Sequence, residues 1–149
     1  MVVKFSSFGR AYMAFRLFLE QGLNPFKDLK WFEGGTHDNV VLSVRKGIVD
    51  AGTVRSDPLE RMEPEGNIRM AEFRLLHLVQ DDFPFVHSTK LYPEWPFTAL
   101  PHMDSGLNAK IQKADHPAAK AAKIAGWVEP LDYSPVAECL RIVERTKNT

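Results

Sequence analysis

The sequence predicts an α/β domain in which a parallel or mixed sheet carries helices on both faces. Three observations lead to this prediction. Short apolar segments typical of buried strands alternate with segments of helical periodicity, residues that cap helices follow the early strands, and glycine ends the first two long helical segments. Alternation of this kind is typical of parallel strands joined by helices.

The first predicted strand, residues 2–6, leads into a helix predicted over residues 7–21. Aromatic and leucine side chains recur in this helix at three- and four-residue spacing, which indicates one buried face. Ser7 is a suitable N-cap, and Gly22 is a suitable stop. The sequence therefore predicts a strand–turn–helix unit over its first twenty-two residues.

Similar units follow along the chain. Strands are predicted over residues 29–33, 48–54 and 73–79. A helix capped by Thr36 follows the first of these and ends at Gly47, and a short helix capped by Ser56 follows the second. Pro58 suits the first turn of that short helix, where its missing N–H costs least.

The second part of the chain has a different character. Residues 80–101 are rich in proline and aromatic residues, which predicts an extended region with one strand near residues 85–87. Helices are then predicted over residues 107–113, 117–125 and 135–145.

The composition excludes several classes of function. The 149 residues carry nineteen basic and nineteen acidic side chains, so the sequence gives no support for a nucleic-acid partner or an anionic membrane surface. No apolar run approaches the roughly 18 residues of a membrane span. Cys139 is the single cysteine, so no intrachain disulfide can form, and its helical context favours a buried thiol. No cofactor or metal site is predicted, because no second histidine or cysteine lies at ligand spacing.

Anion-binding chemistry is concentrated at the three predicted strand-to-helix turns. Such turns lie together at the carboxyl edge of a parallel sheet, where ligands bind. The candidate ligand-binding residues are Ser6, Ser7, Phe8, Gly9, Thr36, His37, Asp38, Arg55 and Asp57.

Each turn offers a specific chemical group. The serine hydroxyls and the free N–H groups of a first helical turn can donate to an oxyanion. The His37 imidazole can donate as well, with Asp38 fixing its tautomer, and the planar Arg55 guanidinium suits tetrahedral oxyanions. Asp57 is either an acid in a first turn or the group that binds a ligand amine. The alternatives are plain helix caps and a surface arginine.

Three motifs resemble the phosphonate-binding periplasmic protein family. They are Phe5–Gly9 with its following helix, Gly35–Asp38, and Val49–Arg55. The segments Leu91–Pro96, Ala125–Trp127 and Pro130–Val136 look like those of sensor domains of membrane histidine kinases in this family, including the tetrathionate-sensing kind.

The resemblance implies a type II two-lobed fold and a periplasmic module that binds a small oxyanion between its lobes. Ser6, Ser7 and His37 would then hold a phosphonate group, and Asp57 would correspond to an acidic residue that binds the ligand's amine. Arg55, two positions away, would neutralise Asp57 and favour a doubly anionic ligand. Residues 1–80 would form the ligand-binding lobe, and residues 81–149 would cross back to complete the other lobe. The chain looks like a fragment, since members of the family are about twice as long.

The expected function is therefore binding without catalysis. The ligand is a phosphonate-, sulfonate- or tetrathionate-like oxyanion, and the partner is the transmembrane region of a histidine kinase, with the full-length protein membrane-anchored. The alternative is the solute-binding component of a phosphonate or phosphite ABC transporter, whose partner is a permease. A hydrolase using His37 with Asp38, and a homodimer of isolated lobes, are the remaining hypotheses.

Overall fold

The structure, a computed structural model, describes residues 1–93, 100–106, 109 and 129–148. Among the described residues it contains the α-helices α1 (Tyr12–Glu20), α2 (His37–Arg45), α3 (Pro58–Met62) and α4 (Ser134–Lys147), with 3₁₀ helices at Phe8–Arg10 and Met70–Glu72. The helices predicted over residues 107–113 and 117–125 lie outside the described residues, apart from residue 109.

The predicted α/β sheet is wrong for the part of the chain that the structure describes. In place of strands there is an isolated parallel bridge between Val2 and Glu33. Backbone hydrogen bonds join the first two predicted strands through Val2 N to Phe32 O (2.9 Å) and Gly34 N to Val2 O (2.8 Å). One further backbone bond follows, from Gly35 N to Val3 O at 3.0 Å. Phe5 N then bonds the side chain of Glu33 at 2.7 Å instead of the neighbouring backbone, and no ladder forms.

The third predicted strand lies on the other side of the first but does not form a ladder with it. Thr53 N donates to Met1 O at 2.9 Å. Ile48, at the start of this segment, is 67% exposed, so it lacks the neighbours that bury a central strand. Residues 1–3 are thus flanked by both other segments without the repeated pairing that makes a sheet.

The remaining predicted strands are also absent. Residues 73–79 include a turn at His77, which has a positive φ of 52°, and Leu76 and Leu78 are exposed. In the segment 85–87, Val86 N donates to the Glu60 carboxylate at 2.6 Å rather than to another strand. The two segments share a backbone hydrogen bond from Val79 N to His87 O at 3.0 Å, but the described residues do not extend it into a ladder.

The first predicted helix is divided in two. Ala11, with φ −147° and ψ −52°, separates the 3₁₀ helix Phe8–Arg10 from α1. Ser7 occupies the N-cap position, but its side chain forms no capping hydrogen bond. Gly22 follows α1 with φ 77°, the conformation that favours glycine at a helix end.

Helix α2 begins as predicted and packs tightly. Thr36 Oγ1 accepts a hydrogen bond from Asn39 N at 3.1 Å, which confirms the predicted cap. Val40 and Val41 are buried. A Cβ placed on Gly52 would lie 2.5 Å from a methyl of Val40, so glycine permits the close approach of the segment before Arg55 to this helix.

Helix α3 differs from the prediction at its start. Its N-cap is Asp57, not Ser56, and Asp57 has a φ of 94°. Pro58 does occupy the first turn, as predicted. The positive φ turns the chain sharply between Arg55 and the helix, so the helix begins one residue later than the serine indicates.

Two hydrophobic clusters hold these helices. The first joins α1 and α4 through Val2, Ala11, Phe15, Cys139 and Val143. The Phe15 ring meets the Trp31 ring edge-on at a centroid distance of 4.9 Å.

The second cluster joins α2 and α3. It consists of Val41, Leu59, Met62 and Ile68, with partly buried side chains such as Val54 and Phe73 packed against it.

The chain divides into two compact units. One comprises Met1–Tyr92 and Ser134–Thr149, and the other comprises Pro93–Tyr133. All the helices named above belong to the first unit. The predicted division into residues 1–80 and 81–149 stays a prediction.

We expect Phe15→Ala to lower the free energy of unfolding by about 3–5 kcal/mol, because it empties the centre of the first cluster. Phe5→Ala is the matched control, since Phe5 is 40% exposed and its truncation should cost less than about 1 kcal/mol. Urea denaturation of both variants measures the difference. Equal losses would contradict the assignment of Phe15 to the core.

We expect the Cys139 thiol to be unreactive in the folded chain. Cys139 is 1% exposed, its Sγ donates to Tyr12 O at 3.7 Å, and burial raises its pKa. A disulfide reagent at pH 7.5 should modify it after unfolding in urea and not before. Rapid modification of the folded chain would show that the packing of α4 against α1 does not cover this side chain.

Candidate functional site

An open cleft of about 370 Å³ lies in the first unit, at the start of α2. Its lining carries three arginines, a histidine and an aspartate. The lining residues are Val3, Arg10, Gly35, Thr36, His37, Asp38, Arg55, Pro58 and Arg61.

His37 is held in one tautomer at this cleft. Its Nδ1 accepts a hydrogen bond from the backbone N–H of Arg55 at 3.3 Å. The proton of the neutral ring is therefore on Nε2. Within the described ranges, Nε2 is buried and has no hydrogen-bond partner. The site thus contains a hydrogen-bond donor without an acceptor, which is costly unless a ligand supplies one.

The surroundings keep this imidazole neutral. Burial lowers the pKa of His37, and the positive charges of Arg10 and Arg55 lower it further, against smaller opposing effects of Asp57 and Asp38. A group that is neutral at pH 7 donates from Nε2 without carrying charge of its own.

Two of the cleft arginines are paired with carboxylates. Arg55 forms a two-pronged ion pair with Asp57, at 2.7 Å from Nε and 3.0 Å from Nη2. Arg61 pairs with Asp38 and, through Nη1, with Glu65 at 2.9 Å.

Arg10 differs from these two arginines. Its side chain forms no ion pair or hydrogen bond with any residue in the described part of the chain, and it is partly buried. Its charge is nonetheless felt at His37. Arg10 is therefore a cation at the cleft whose charge is available to an anionic ligand.

The first turn of α2 adds backbone donors. Asn39 N is satisfied by the Thr36 hydroxyl oxygen, and Val40 N donates to Thr36 O at 3.2 Å. For the N–H groups of His37 and Asp38, the described residues provide no acceptor. Such groups, with the helix dipole, attract anions at the start of a helix.

The structure brings together some of the predicted site residues. Thr36, His37, Asp38 and Arg55 line the cleft, and Asp57 lies beside it as the partner of Arg55.

The first predicted turn lies outside this lining. The residues concerned are Ser6, Ser7, Phe8 and Gly9. Phe8 packs edge-on against Tyr92 at a centroid distance of 5.2 Å, and Ser7 O accepts from Ala11 N. A ligand-binding role for these four residues stays a prediction.

Sequence reasoning missed Arg10 and Arg61. Both lie about one helical turn after a residue predicted to stand at the start of a helix. Arg10 follows Ser7 by three positions, and Arg61 follows Pro58 by three. Side chains at that spacing share a helix face. Arginine at this spacing was the signal that could have identified them.

The described residues contain no group of three or more His, Cys, Asp or Glu side chains that could hold a metal ion. None of the helices within these ranges is long and apolar enough to cross a membrane.

Comparison with known proteins decides the family. The family model of the periplasmic substrate-binding proteins of phosphonate ABC transporters matches residues 2–134. The chain belongs to this family. The resemblance drawn from the turn motifs is confirmed, although the sheet that it implied is not found in the described residues.

A relative of this phosphonate-binding family member is a sensor kinase. The chain is 32% identical over 140 residues to the tetrathionate sensor histidine kinase TtrS of Salmonella typhimurium. The alignment covers 93% of this chain and 24% of that protein, so the chain spans about a quarter of its relative's length. No solved structure matches the chain. The family is one of periplasmic binding proteins, which supports an extracytoplasmic location and a binding role.

We expect the imidazoles of His37 and His87 to titrate on opposite sides of the ordinary pKa of about 6.5. The pKa of His37 is lowered by burial and by Arg10 and Arg55. The pKa of His87 is raised, chiefly by its hydrogen bond to Asp81 at 3.0 Å. NMR titration of the ring protons measures both, and the reverse order would contradict the assigned contacts.

The direction of each pKa shift determines how the contribution of that histidine to the free energy of unfolding changes with pH. At His37 the unfolded chain binds more protons than the folded one, so its contribution to the free energy of unfolding falls as the pH drops below about 6.5. At His87 the contribution is fully present below about 6.5 and is lost as the pH rises through the raised pKa. Comparison of His37→Asn and His87→Asn by urea denaturation between pH 5 and 8 separates the two.

Proposed function

We propose that this chain is an extracytoplasmic sensor domain that binds a small oxyanion in the cleft and transmits the binding event to a histidine kinase. Membership of a periplasmic binding family supports the binding role. Similarity to a tetrathionate sensor histidine kinase, at 32% identity in an alignment that covers 93% of the chain, supports the sensor role.

The observation that carries the proposal is the Nε2–H of His37. It is a buried donor with no acceptor among the described residues, and its tautomer is fixed from the opposite side of the ring by Arg55 N. An oxygen of a bound anion would complete this hydrogen bond. A purely structural histidine would instead have both nitrogens satisfied or exposed to water.

The other lining groups fit the same ligand. Arg10 supplies a positive charge, the His37 and Asp38 N–H groups supply backbone donors, and the Thr36 hydroxyl can donate while its oxygen caps α2. Several donors that converge on one cleft match an ion whose oxygens are all acceptors. Phosphonates, sulfonates and tetrathionate share this property.

The predicted first turn stays part of the proposal. Residues 6–9 immediately precede Arg10, and the hydroxyls of Ser6 and Ser7 would serve as additional donors to the ligand. Arg55 would contribute through its backbone, by orienting His37, and through the positive charge of its side chain.

The proposed partner is the transmembrane region of a histidine kinase, in a full-length, membrane-anchored parent. The domain itself would bind without catalysis, and closure around the anion would be a ligand-driven shift between conformations. Phosphorylation of the kinase would depend on the ligand.

A second candidate is the solute-binding component of an ABC transporter, because the matched family is described by that role. The two candidates share the binding step and differ in the partner. Ligand-dependent autophosphorylation of the full-length parent would support the sensor, and ligand-dependent association with a permease would support the transporter.

We expect His37→Ala and Arg10→Gln each to weaken oxyanion binding by about tenfold or more, since a hydrogen bond or ion pair to a charged group contributes about 1.5–3 kcal/mol. Isothermal titration calorimetry with phosphate, methylphosphonate, sulfate, thiosulfate and tetrathionate measures the affinities. Lys46→Gln is the matched control, because Lys46 follows the opposite end of α2 and does not line the cleft.

Lys46→Gln should change the affinity by less than about threefold, because an exposed charge at the far end of α2 is largely screened from the cleft by solvent and salt. Unchanged affinity in both His37→Ala and Arg10→Gln, with folding verified by circular dichroism, would refute the proposed site. If no oxyanion binds to the unsubstituted chain, the proposed function itself fails for this domain.

A further inference from the structure

The carboxylates beside the cleft are both engaged by arginine. Asp57 accepts from the Arg55 guanidinium through both of its oxygens, at 2.7 and 3.0 Å. Asp38 accepts from Arg61 through one oxygen. Each acidic charge near the proposed ligand is thereby balanced by a positive charge, whereas Arg10 has no such partner among the described residues.

Asp57 is held in an unusual way for an aspartate at the start of a helix. It is the N-cap of α3, where an aspartate ordinarily accepts hydrogen bonds from the first turn, yet its side chain forms no capping bond. Its φ of 94° lies in a region that side-chain-bearing residues rarely adopt. The ion pair with Arg55 is therefore formed in place of the cap, with a strained backbone at the same residue.

Arg55 contacts the site through two separable groups. Its backbone N–H fixes the tautomer of His37, and its guanidinium binds Asp57. A substitution at position 55 preserves the first contact and removes the second. The Asp57 side chain is 27% exposed, so without Arg55 it would be a partly buried carboxylate that lacks this partner.

We propose that Arg55 determines the ligand class of the cleft by engaging Asp57, so that the site takes oxyanions that carry no ammonium group. This inference rests on the proposed function. An ammonium group that enters the cleft loses water and needs a carboxylate to compensate. Asp57 is engaged by Arg55 and Asp38 by Arg61, so neither carboxylate is left to compensate a ligand ammonium group, and the positive charge of Arg10 repels it.

Matched ligand pairs test this inference. Ethylphosphonate and 2-aminoethylphosphonate differ by one amine, as do ethanesulfonate and taurine. Calorimetry gives the ratio of the two dissociation constants within each pair, which cancels effects on the shared oxyanion. We expect the unsubstituted chain to prefer the amine-free member by about tenfold or more, the effect of one charge-assisted contact.

Three variants assign the preference to the ion pair. Arg55→Gln releases Asp57 and should shift the ratio about tenfold toward the aminated ligand, by gain of a charge-assisted contact. Arg55→Lys keeps the charge without the two-pronged geometry and should give a smaller shift. The double variant Arg55→Gln/Asp57→Asn removes the released carboxylate and should restore the original preference. Lys46→Gln, which removes a charge outside the cleft, should leave the ratio unchanged.

Two results would overturn the inference while leaving the proposed function intact. One is a preference of the unsubstituted chain for the aminated ligands. The other is a ratio in Arg55→Gln equal to that of the unsubstituted chain, with both proteins folded by circular dichroism. Failure of every oxyanion to bind the unsubstituted chain is a distinct result that refutes the proposed function and, with it, this inference.

Discussion

The arrangement of the cleft depends on the backbone hydrogen bonds of residues 1–3. Gly35 N donates to Val3 O at 3.0 Å, which places the start of α2 beside this segment. Thr53 N donates to Met1 O on the other side, which brings the segment leading to Arg55 alongside. Arg55 and His37 lie eighteen positions apart in sequence, so local structure does not bring them together. These two attachments do, and they place Arg55 N within hydrogen-bond distance of His37 Nδ1. The tautomer of His37 is thus determined by nonlocal backbone pairing.

Local structure at the start of α2, and the position of Pro58 in α3, were predictable from the sequence, whereas the contacts that these helices make with distant segments were not. Thr36 was identified as the cap and Pro58 as a first-turn residue, because these preferences act within one turn of a helix. The sheet was wrongly predicted, since apolar segments predict extended backbone but cannot show whether the neighbouring donors pair with backbone or with side chains such as Glu33 and Glu60. The family was nevertheless identified, because its turn motifs are local sequence features.

The ion pairs of the site were likewise predictable only where the two partners are close in sequence. Arg55 and Asp57 are two positions apart, and the sequence already indicated that one would neutralise the other. The pair of Arg61 with Asp38 spans twenty-three positions and was not anticipated. Arg10 was not among the predicted site residues. Its significance comes from its effect on His37, which depends on packing between distant segments.

The two hydrophobic clusters contribute different walls of the cleft. Arg10 ends the 3₁₀ helix that leads into α1, whose Phe15 belongs to the first cluster, whereas His37 and Arg61 lie on α2 and α3, which the second cluster joins. An anion held by Arg10 and His37 together would therefore be a noncovalent cross-link between two separately packed cores. Binding of an anion there would then raise the free energy needed to separate the two cores.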